Sequence, residues 1–486
     1  MEVSDRSTDG REAHGGVVDE RWFVPSSDRG LARHRENSIE PASPARSLDA
    51  LAAAHHDQRV PAAQIGVAVL GQGYVGLPLA MAAVEAGHRV VGFDVDEHRV
   101  ERLGAGDSYV EDVPADTLAA ALSTGRYRPT ADPGALAGFD VAVITVPTPL
   151  REGRPDLSHV EDAARTLCSH LRPGSLVVLE STTYPGTTEE LLAGLIRERS
   201  GLVAGGDYHL GYSPERIDPG NAEYGLAETP KLVSGVAPCC LEAVQAFYDT
   251  LVAKTIAVSR PREAELAKLV ENTFRHVNIA LVNELAMFAA ELGVDIWEAL
   301  DAAATKPFGF MRFNPGPGVG GHCLPIDPSY LSFHVERSLG RSFRFVELAN
   351  DVNAHMPDYV VQRLVAALNE RGKALKGSRV VLLGLAYKPN TSDLRESPAL
   401  VVARHLLRLG AEVAYVDEHV ADIDLGRAGL EGSLAKVPLD EAELTGADAV
   451  VVLTDHDDVD YDLVASLARY VLDCRHRCRG ERVEHL

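Results

Sequence analysis

The chain has 486 residues, 45% of them apolar, and a formal net charge of −24 at pH 7. That length accommodates two or three domains with sizeable cores, and so acidic a balance argues against nucleic acid and anionic membranes as partners. An anionic small molecule can bind only where Arg, Lys and helix N-termini are gathered locally. No run reaches the roughly 18 apolar residues of a membrane span, and no early stretch has signal-peptide character. The six cysteines lack framework spacing, which fits a reducing compartment, so a cytoplasmic location is expected.

Residues 1–62 are rich in Asp, Arg, Ser, Pro and Gly and have no apolar periodicity. They read as a disordered tail with a short helix at Leu48–His55, and deleting them is expected to leave turnover unchanged. Order begins at QIGVAVLGQGYVG, where a continuous apolar strand (Ile65–Leu70) runs into Gly71, Gly73 and Gly76. A helix and a second strand follow, the latter ending in Asp94, 18 residues beyond the third glycine. This is a dinucleotide-binding arrangement: Gly71 permits the tight turn, Gly73 lets a pyrophosphate approach the backbone, and Gly76 lets helix and strand pack closely. Asp94 is placed to accept from ribose hydroxyls, which favours NAD. Arg99 nearby is the residue type that receives a 2′-phosphate, but Asp94 would repel that group.

Further apolar runs, Asp140–Val146 and Ser175–Ser181, end in Pro147-Thr148-Pro149 and in Thr182-Thr183-Tyr184-Pro185-Gly186. Buried strands that stop at turn formers are those of a parallel sheet whose carboxyl ends line a site. Tyr212-Ser213-Pro214-Glu215-Arg216 ends another such segment. Its position favours an active-site role for Glu215 over a surface acid beside Arg216.

From Pro261 to Leu292 no Gly or Pro interrupts the interior, so the pattern predicts one helix roughly 45 Å long at 1.5 Å per residue. Apolar residues recur at Leu266, Val270, Phe274, Val277 and Leu281, and from Ile279 onward nearly every face is apolar. The helix is therefore expected to be buried, and a homodimer built on it is expected because one chain has too little to cover it. Lys268 and Asn272, four apart, share one face. A Lys in a burying helix needs an anionic partner or a task, unless it snorkels to solvent. The stretch Lys306–Leu331 reads as a loop, with five glycines and five prolines between Pro307 and Pro328. Within it Gly320-Gly321 precede His322-Cys323, and Asp327 follows four residues later. A Cys behind bare backbone N–H groups is a candidate nucleophile, set against the commoner inert buried Cys.

From about Lys376 the chain repeats itself. VVLLGLAY (380–387) matches VAVLGQGY (67–74), AEVAYVDEH matches HRVVGFDVDEH, and ADAVVVLTDH matches DVAVITVPTP. The fold expected is α/β: two Rossmann-like doubly wound domains joined by a long central helix. The boundaries are a tail at 1–62, an NAD-binding domain at 63–260, the central helix and Cys loop at 261–372, and a second nucleotide-type domain at 373–486. Cys474 and Cys478 flank His476, but such a clip has too few ligands, and no metal is expected.

From about Gln64 onward the chain resembles the nucleotide-sugar 6-dehydrogenases, which include UDP-glucose and UDP-N-acetylhexosamine dehydrogenases. The resemblance rests on GQGYVG, PTP, STT, SPER, AKLVEN, GVGGHC followed by LPID, and AYKPNTSDLRESP, in that order. It implies two successive hydride transfers to NAD that take the sugar C6 alcohol to a carboxylate through a Cys-bound thiohemiacetal and thioester. It also implies a uronic acid product for surface polysaccharide. On this reading Cys323 is the nucleophile, Lys268 and Asn272 hold the C6 oxygen, and Asp327 assists proton transfer. Thr182 positions water, and Glu215 is the general base of thioester hydrolysis. NAD contacts fall on Gly71, Gly73, Gly76, Asp94, Arg99, Thr148 and Arg395. Arg312 and Lys388 face the UDP-sugar, Arg312 from a neighbouring subunit in some members. His322 before Cys323 departs from the Ser of UDP-glucose enzymes and is closer to UDP-N-acetylglucosamine 6-dehydrogenases. UDP-glucose and UDP-N-acetylmannosamine remain alternative substrates. A one-hydride hydroxyacid dehydrogenase and a catalytically silent nucleotide sensor are the more distant readings.

Overall fold

A computed structural model describes residues 64–151, 153–217, 225–321, 323–420 and 434–486, without the Cys323 side chain. The expected tail, the helix at Leu48–His55 and His322 lie outside the described residues. The first sheet comprises β1 (Gly66–Leu70), β2 (Arg89–Phe93), β3 (Tyr127–Thr130), β4 (Val141–Ile144), β5 (Leu176–Leu179), β6 (His209–Tyr212), β7 (Lys231–Gly235) and β8 (Thr255–Ala257). Their spatial order is β8-β7-β6-β5-β4-β1-β2-β3. Within this sheet, among the described residues, only β6 and β7 pair antiparallel. The order reverses between β1 and β4, the switch point at which doubly wound sheets open a crevice beyond their carboxyl ends.

The central strands β1, β4 and β5 are apolar throughout because both faces are covered. Val67 and Val69 enter one core layer, and Ala68 and Leu70 enter the opposite one. The second sheet, β9 (Arg379–Leu383), β10 (Glu412–Val416), β11 (Ala435–Lys436), β12 (Ala449–Val452), β13 (Val471–Asp473) and β14 (Val483–His485), is wholly parallel, in the order β11-β10-β9-β12-β13-β14. The repeat in sequence is a repeat in register. Gly66 opposes Arg89 as Arg379 opposes Glu412, and Val67 opposes Val141 as Val380 opposes Ala449.

Helix α1 (Gly76–Glu85) follows the glycine turn, and α2 spans Pro261–Leu292. Pro261 occupies the first turn of α2, and Gly293, at φ 69°, stops it in the left-handed conformation. Four of the five apolar positions expected to face inward are exposed, and Val277 is half-buried. Leu266, Val270, Phe274, Leu281, Leu285, Phe288 and Leu292 are exposed, whereas Glu265, Lys268, Asn272, His276 and Asn283 are buried. The inward face mixes small apolar residues, among them Ala264, Ala280, Ala286 and Ala289, with polar ones that hydrogen-bond to neighbouring loops and helices. The expected loop Lys306–Leu331 also ends early, for α3 runs from Cys323 to Leu339. Pro325 lies in its first turn, where a missing N–H loses no helical bond, and only Pro328 stands inside. Helices α3 and α4 (Arg344–Glu370) both pack on α2.

Candidate active site

The glycine turn adopts the conformation its sequence requires. Gly71 has φ 95°, and a Cβ on Gly76 would lie 1.9 Å from the Gly71 carbonyl oxygen. A Cβ on Gly73 would touch nothing within 4 Å, so that residue's bare backbone faces outward from the turn. Asp94, buried at the end of β2, accepts from the Gln72 N–H at 2.8 Å and the Asp96 N–H at 3.0 Å. The Arg99 guanidinium stands 3.6 Å from Asp94 and half exposed. These residues fit a dinucleotide: an open amide cradle at a strand–helix turn, with a fixed carboxylate one strand away.

The second nucleotide-type turn keeps the fold of the first but changes its chemistry. Gly384 repeats Gly71 at φ 79°, and Asp417 accepts from the Leu385 N–H at 2.7 Å, as Asp94 does from Gln72. Ala386 and Pro389 stand where Gly73 and Gly76 stand, which removes the open cradle. Asp417 is further engaged by His456 Nε2 at 3.2 Å.

Lys268, Asn272 and Asp327 gather where α2 meets the start of α3. The Asn272 amide donates to Asp327 Oδ2 at 2.6 Å, and all three side chains are at least nine-tenths buried. Burial pushes the Asp327 carboxyl up to about 6 against the opposing pull of the Lys268 ammonium and the Asn272 amide. Among the described residues no hydrogen bond or ion pair engages the Lys268 ammonium, which acts on Asp327 and Glu215 through space. Cys323 is the first residue of α3, one helical turn before Asp327 on the same side. Its thiol lies outside the described atoms.

Glu215, just past β6, accepts from the Arg216 and Ile217 N–H groups, both at 2.6 Å, and from Lys231 Nζ at 3.0 Å. Burial alone would raise this carboxyl. The Lys231 ammonium and the Ile217 N–H outweigh it and hold the group below the usual range. Thr148 Oγ1 donates to the Thr182 carbonyl at 2.9 Å, which ties together the two strand ends PTP and STT. Arg395, from the AYKPNTSDLRESP segment, forms a bidentate pair with Asp393 and lies 4.9 Å over the Tyr74 ring of the glycine turn. Lys388 is half-buried in the same segment. Arg312 stands apart, engaged by Asp301 and by Asn314 rather than by this cluster.

Several supporting residues gave no signal in the sequence. Glu265 on α2 accepts from the Gly186 N–H at 2.6 Å and from the Thr188 N–H and hydroxyl at 2.9 and 2.7 Å, so it anchors the loop after Thr182. The Tyr330 hydroxyl donates to the Thr148 carbonyl at 2.8 Å. Asn283 accepts from the Gly316 N–H at 2.9 Å and donates to Asn353 at 2.9 Å, which seats the glycine loop between α2 and α4. That loop also presses on the second sheet. A Cβ on Gly320 would lie 2.7 Å from Tyr387 and one on Gly321 2.6 Å from it, so these glycines serve close packing. A capping acid or a packing glycine could have been found only by knowing which distant backbone it meets.

Cys474 and Cys478 are buried in core layers on opposite sides of the second sheet and form no clip with His476, which stacks on Trp297. Among the described residues two other clusters of ligand-type atoms occur, His209–Cys239–Cys240 and His419–His456–Asp458. At His456, Nδ1 accepts from the Asn390 N–H at 3.0 Å, so Nε2 carries the proton facing Asp417 and offers a metal no lone pair.

Three models of the UDP-glucose/GDP-mannose dehydrogenase family match the chain: the NAD binding domain over residues 65–252, the central domain over 262–355 and the UDP binding domain over 381–479. The chain is 36% identical to NDP-N-acetyl-D-galactosaminuronic acid dehydrogenase of Ralstonia nicotianae, over 86% of its length and 97% of the relative's. It is 37% identical to UDP-N-acetyl-D-glucosamine 6-dehydrogenase of Pseudomonas aeruginosa, over 84% and 97%. The solved structure of the UDP-D-ManNAc dehydrogenase from Pyrococcus horikoshii superposes with a TM-score of 0.77 at 33% identity, covering 87% of this chain and 99% of that one. The fold, the cofactor turn and these likenesses agree: the chain belongs to the UDP-glucose/GDP-mannose dehydrogenase family, NAD-dependent oxidoreductases of nucleotide sugars.

Proposed function

We propose that the chain oxidises the C6 alcohol of a UDP-N-acetylhexosamine, with UDP-N-acetylglucosamine the first choice, to the uronic acid in two hydride steps. The product is a unit of the kind surface polysaccharides contain. The observation that carries this reading is the Lys268–Asn272–Asp327 cluster beside the helix that opens at Cys323. NAD, when bound, takes up hydride. The residues of the chain manage protons and charge on the C6 oxygen.

In the alcohol step, the Lys268 ammonium and the Asn272 amide stabilise negative charge developing on the oxygen. Asp327, ionised above pH about 6, has the basicity to receive the proton at neutral pH. In the aldehyde step, the Cys323 thiolate, favoured at a helix N-terminus, adds to the carbonyl, and Lys268 again meets the oxyanion. The resulting thiohemiacetal loses its second hydride as a thioester forms. Water held at Thr182 then attacks, Glu215 takes its proton, and Cys323 leaves as thiolate. Gly71, Gly73, Gly76, Asp94, Arg99, Thr148 and Arg395 make the cofactor site, and Arg312 and Lys388 address the UDP-sugar, Arg312 across a subunit interface. The working units are then residues 63–260, 261–372 and 373–486.

The support for an N-acetylated sugar is that the three relatives above carry N-acetylhexosamine names, although they differ in epimer. UDP-glucose and UDP-N-acetylmannosamine are the rivals. Assaying NADH release with each UDP-sugar decides among them, and turnover of UDP-glucose alone would sink the choice. Counting NADH per sugar tests the chemistry. Two are expected from the intact chain and at most one from Cys323→Ala, whereas a one-hydride hydroxyacid enzyme would give one in both. A silent sensor would give none.

A further inference from the structure

The first residue of β7 is a lysine that no part of the mechanism above uses. Lys231 is 2% exposed, and its ammonium lies 3.0 Å from Glu180 Oε1 and 3.0 Å from Glu215 Oε2. Glu180 follows β5 and is wholly buried; its Oε1 also accepts from the Tyr248 hydroxyl at 2.5 Å. Glu180 Oε2 has no hydrogen-bond partner among the described residues. The Tyr248 ring flanks the ammonium at 5.4 Å. Two carboxylates and one cation are thus held away from water. An unpaired charge is costly in such a place, so the lysine is what allows carboxylates to stay ionised beside it.

We propose that Lys231 is the positioning residue for Glu215, keeping that carboxylate ionised and aimed for the hydrolytic half of the reaction, with Glu180 as its counterweight; this rests on the reading of Glu215 as base. Glu215 is oriented from two sides. The Arg216 and Ile217 N–H groups fix Oε1, and Lys231 fixes Oε2. The charges that face it are Lys231 from β7, Glu180 from β5 and, more distantly, Lys268 from α2. Arg216 is turned toward Glu271 at 2.7 Å and is balanced there. With Lys231 in place, the second carboxylate can be tolerated beside Glu215. Without it, Glu180 and Glu215 become neighbouring like charges in a dry site, and one of them must take a proton. Burial already raises the Glu180 carboxyl, which supports its part as the more readily protonated of the two.

The test is a charge-removal cycle. In Lys231→Met the acid limb of thioester hydrolysis, followed in single turnovers, is expected to move up by about one pH unit or more, with hydrolysis suffering more than the first hydride step. In Glu180→Gln/Lys231→Met the like charge is gone, and the limb is expected to return toward wild type. A generic packing defect would worsen in the double variant. A double variant as displaced as the single one, or a Lys231→Met limb that coincides with wild type, overturns the assignment. If Lys231→Met folds poorly, Glu180→Gln alone serves: its limb should lie at or below that of wild type, and an upward move overturns the proposal. Difference infrared titration, with Glu215→Gln as the blank, reads the Glu215 carboxyl whatever its role. An unchanged titration in Lys231→Met sinks the Lys231 assignment, whereas unchanged hydrolysis in Glu215→Gln sinks only the reading of Glu215 as base.

Discussion

Asp327 shows how one side chain sets function against stability. Its folded carboxyl lies at about 6 against an ordinary 3.8, so between those values the native state keeps a proton that the unfolded chain has lost. Stability contributed by the protonated group is fully present below 3.8 and falls as pH rises through about 6. Asp327→Asn is therefore expected to be inactive yet more stable at pH 8, by on the order of 2 kcal/mol, an increase a denaturant titration would detect. Equal or lower stability would mean that Lys268 and Asn272 already offset the burial. In the wild type, the proposed role of Asp327 as proton acceptor requires kcat/KM to fall as pH drops through about 6, where its carboxylate is lost. On the proposed mechanism both hydride steps place charge on the same oxygen, so Lys268→Ala should depress both, by about a hundredfold or more in pre-steady-state bursts.

At the level of elements, α2 was legible in extent and illegible in orientation. Pro261 and Gly293 fix its ends by backbone chemistry alone, which is local. Which face turns inward depends on residues far along the chain: Asp327 for Asn272, Gly186 and Thr188 for Glu265, Gly316 for Asn283. Apolar spacing therefore pointed to the wrong side. The row Leu266, Val270, Phe274, Leu281, Leu285 and Phe288 is two-fifths or more exposed, a continuous apolar stripe of the kind that marks an interface. We propose that a second copy covers it. Phe274→Glu/Phe288→Glu should sediment as a monomer at concentrations where the wild type is a dimer, and identical sedimentation of the two would remove the idea. Glu265→Ala, which strips acceptors from two N–H groups and a hydroxyl, should cost about 1–3 kcal/mol and slow turnover through the Thr182 loop. A thermal midpoint matching wild type would contradict it. The Glu180–Lys231–Glu215 cluster escaped sequence reading for the same reason. Its members sit on β7 and just past the ends of β5 and β6, and only the sheet order brings them together.

For the molecule as a whole, the duplicated strand pattern was visible because register is written into matching apolar runs, and the repeat of Gly71 and Asp94 as Gly384 and Asp417 follows from it. Less visible was how the glycine loop before Cys323 is clamped by the second sheet. Its glycines read as bare backbone behind a candidate nucleophile, yet Gly320 and Gly321 are needed for contact with Tyr387. Gly321, at φ 81° and with no room for a Cβ, should lose most activity as Gly321→Ala, and Tyr387→Ala should restore part of it by opening space. Failure of that rescue would place the loss in backbone strain alone.

The contacts between the glycine turn and the second nucleotide-type unit have a kinetic consequence. Arg395 lies over Tyr74, and the Ser392 N–H and hydroxyl donate to Glu111 at 3.0 and 2.9 Å, all near solvent. Exposed ties of this kind hold by a fraction of a kcal/mol to about 1 each. On the two-step reading, a spent cofactor has to leave and a fresh one enter while the sugar stays bonded to Cys323. On that reading, ties this weak would let the cofactor exchange while the sugar stays covalently held. Strengthening them should slow release of the first NADH rather than hydride transfer, which timing NADH release against its formation in single turnovers would show.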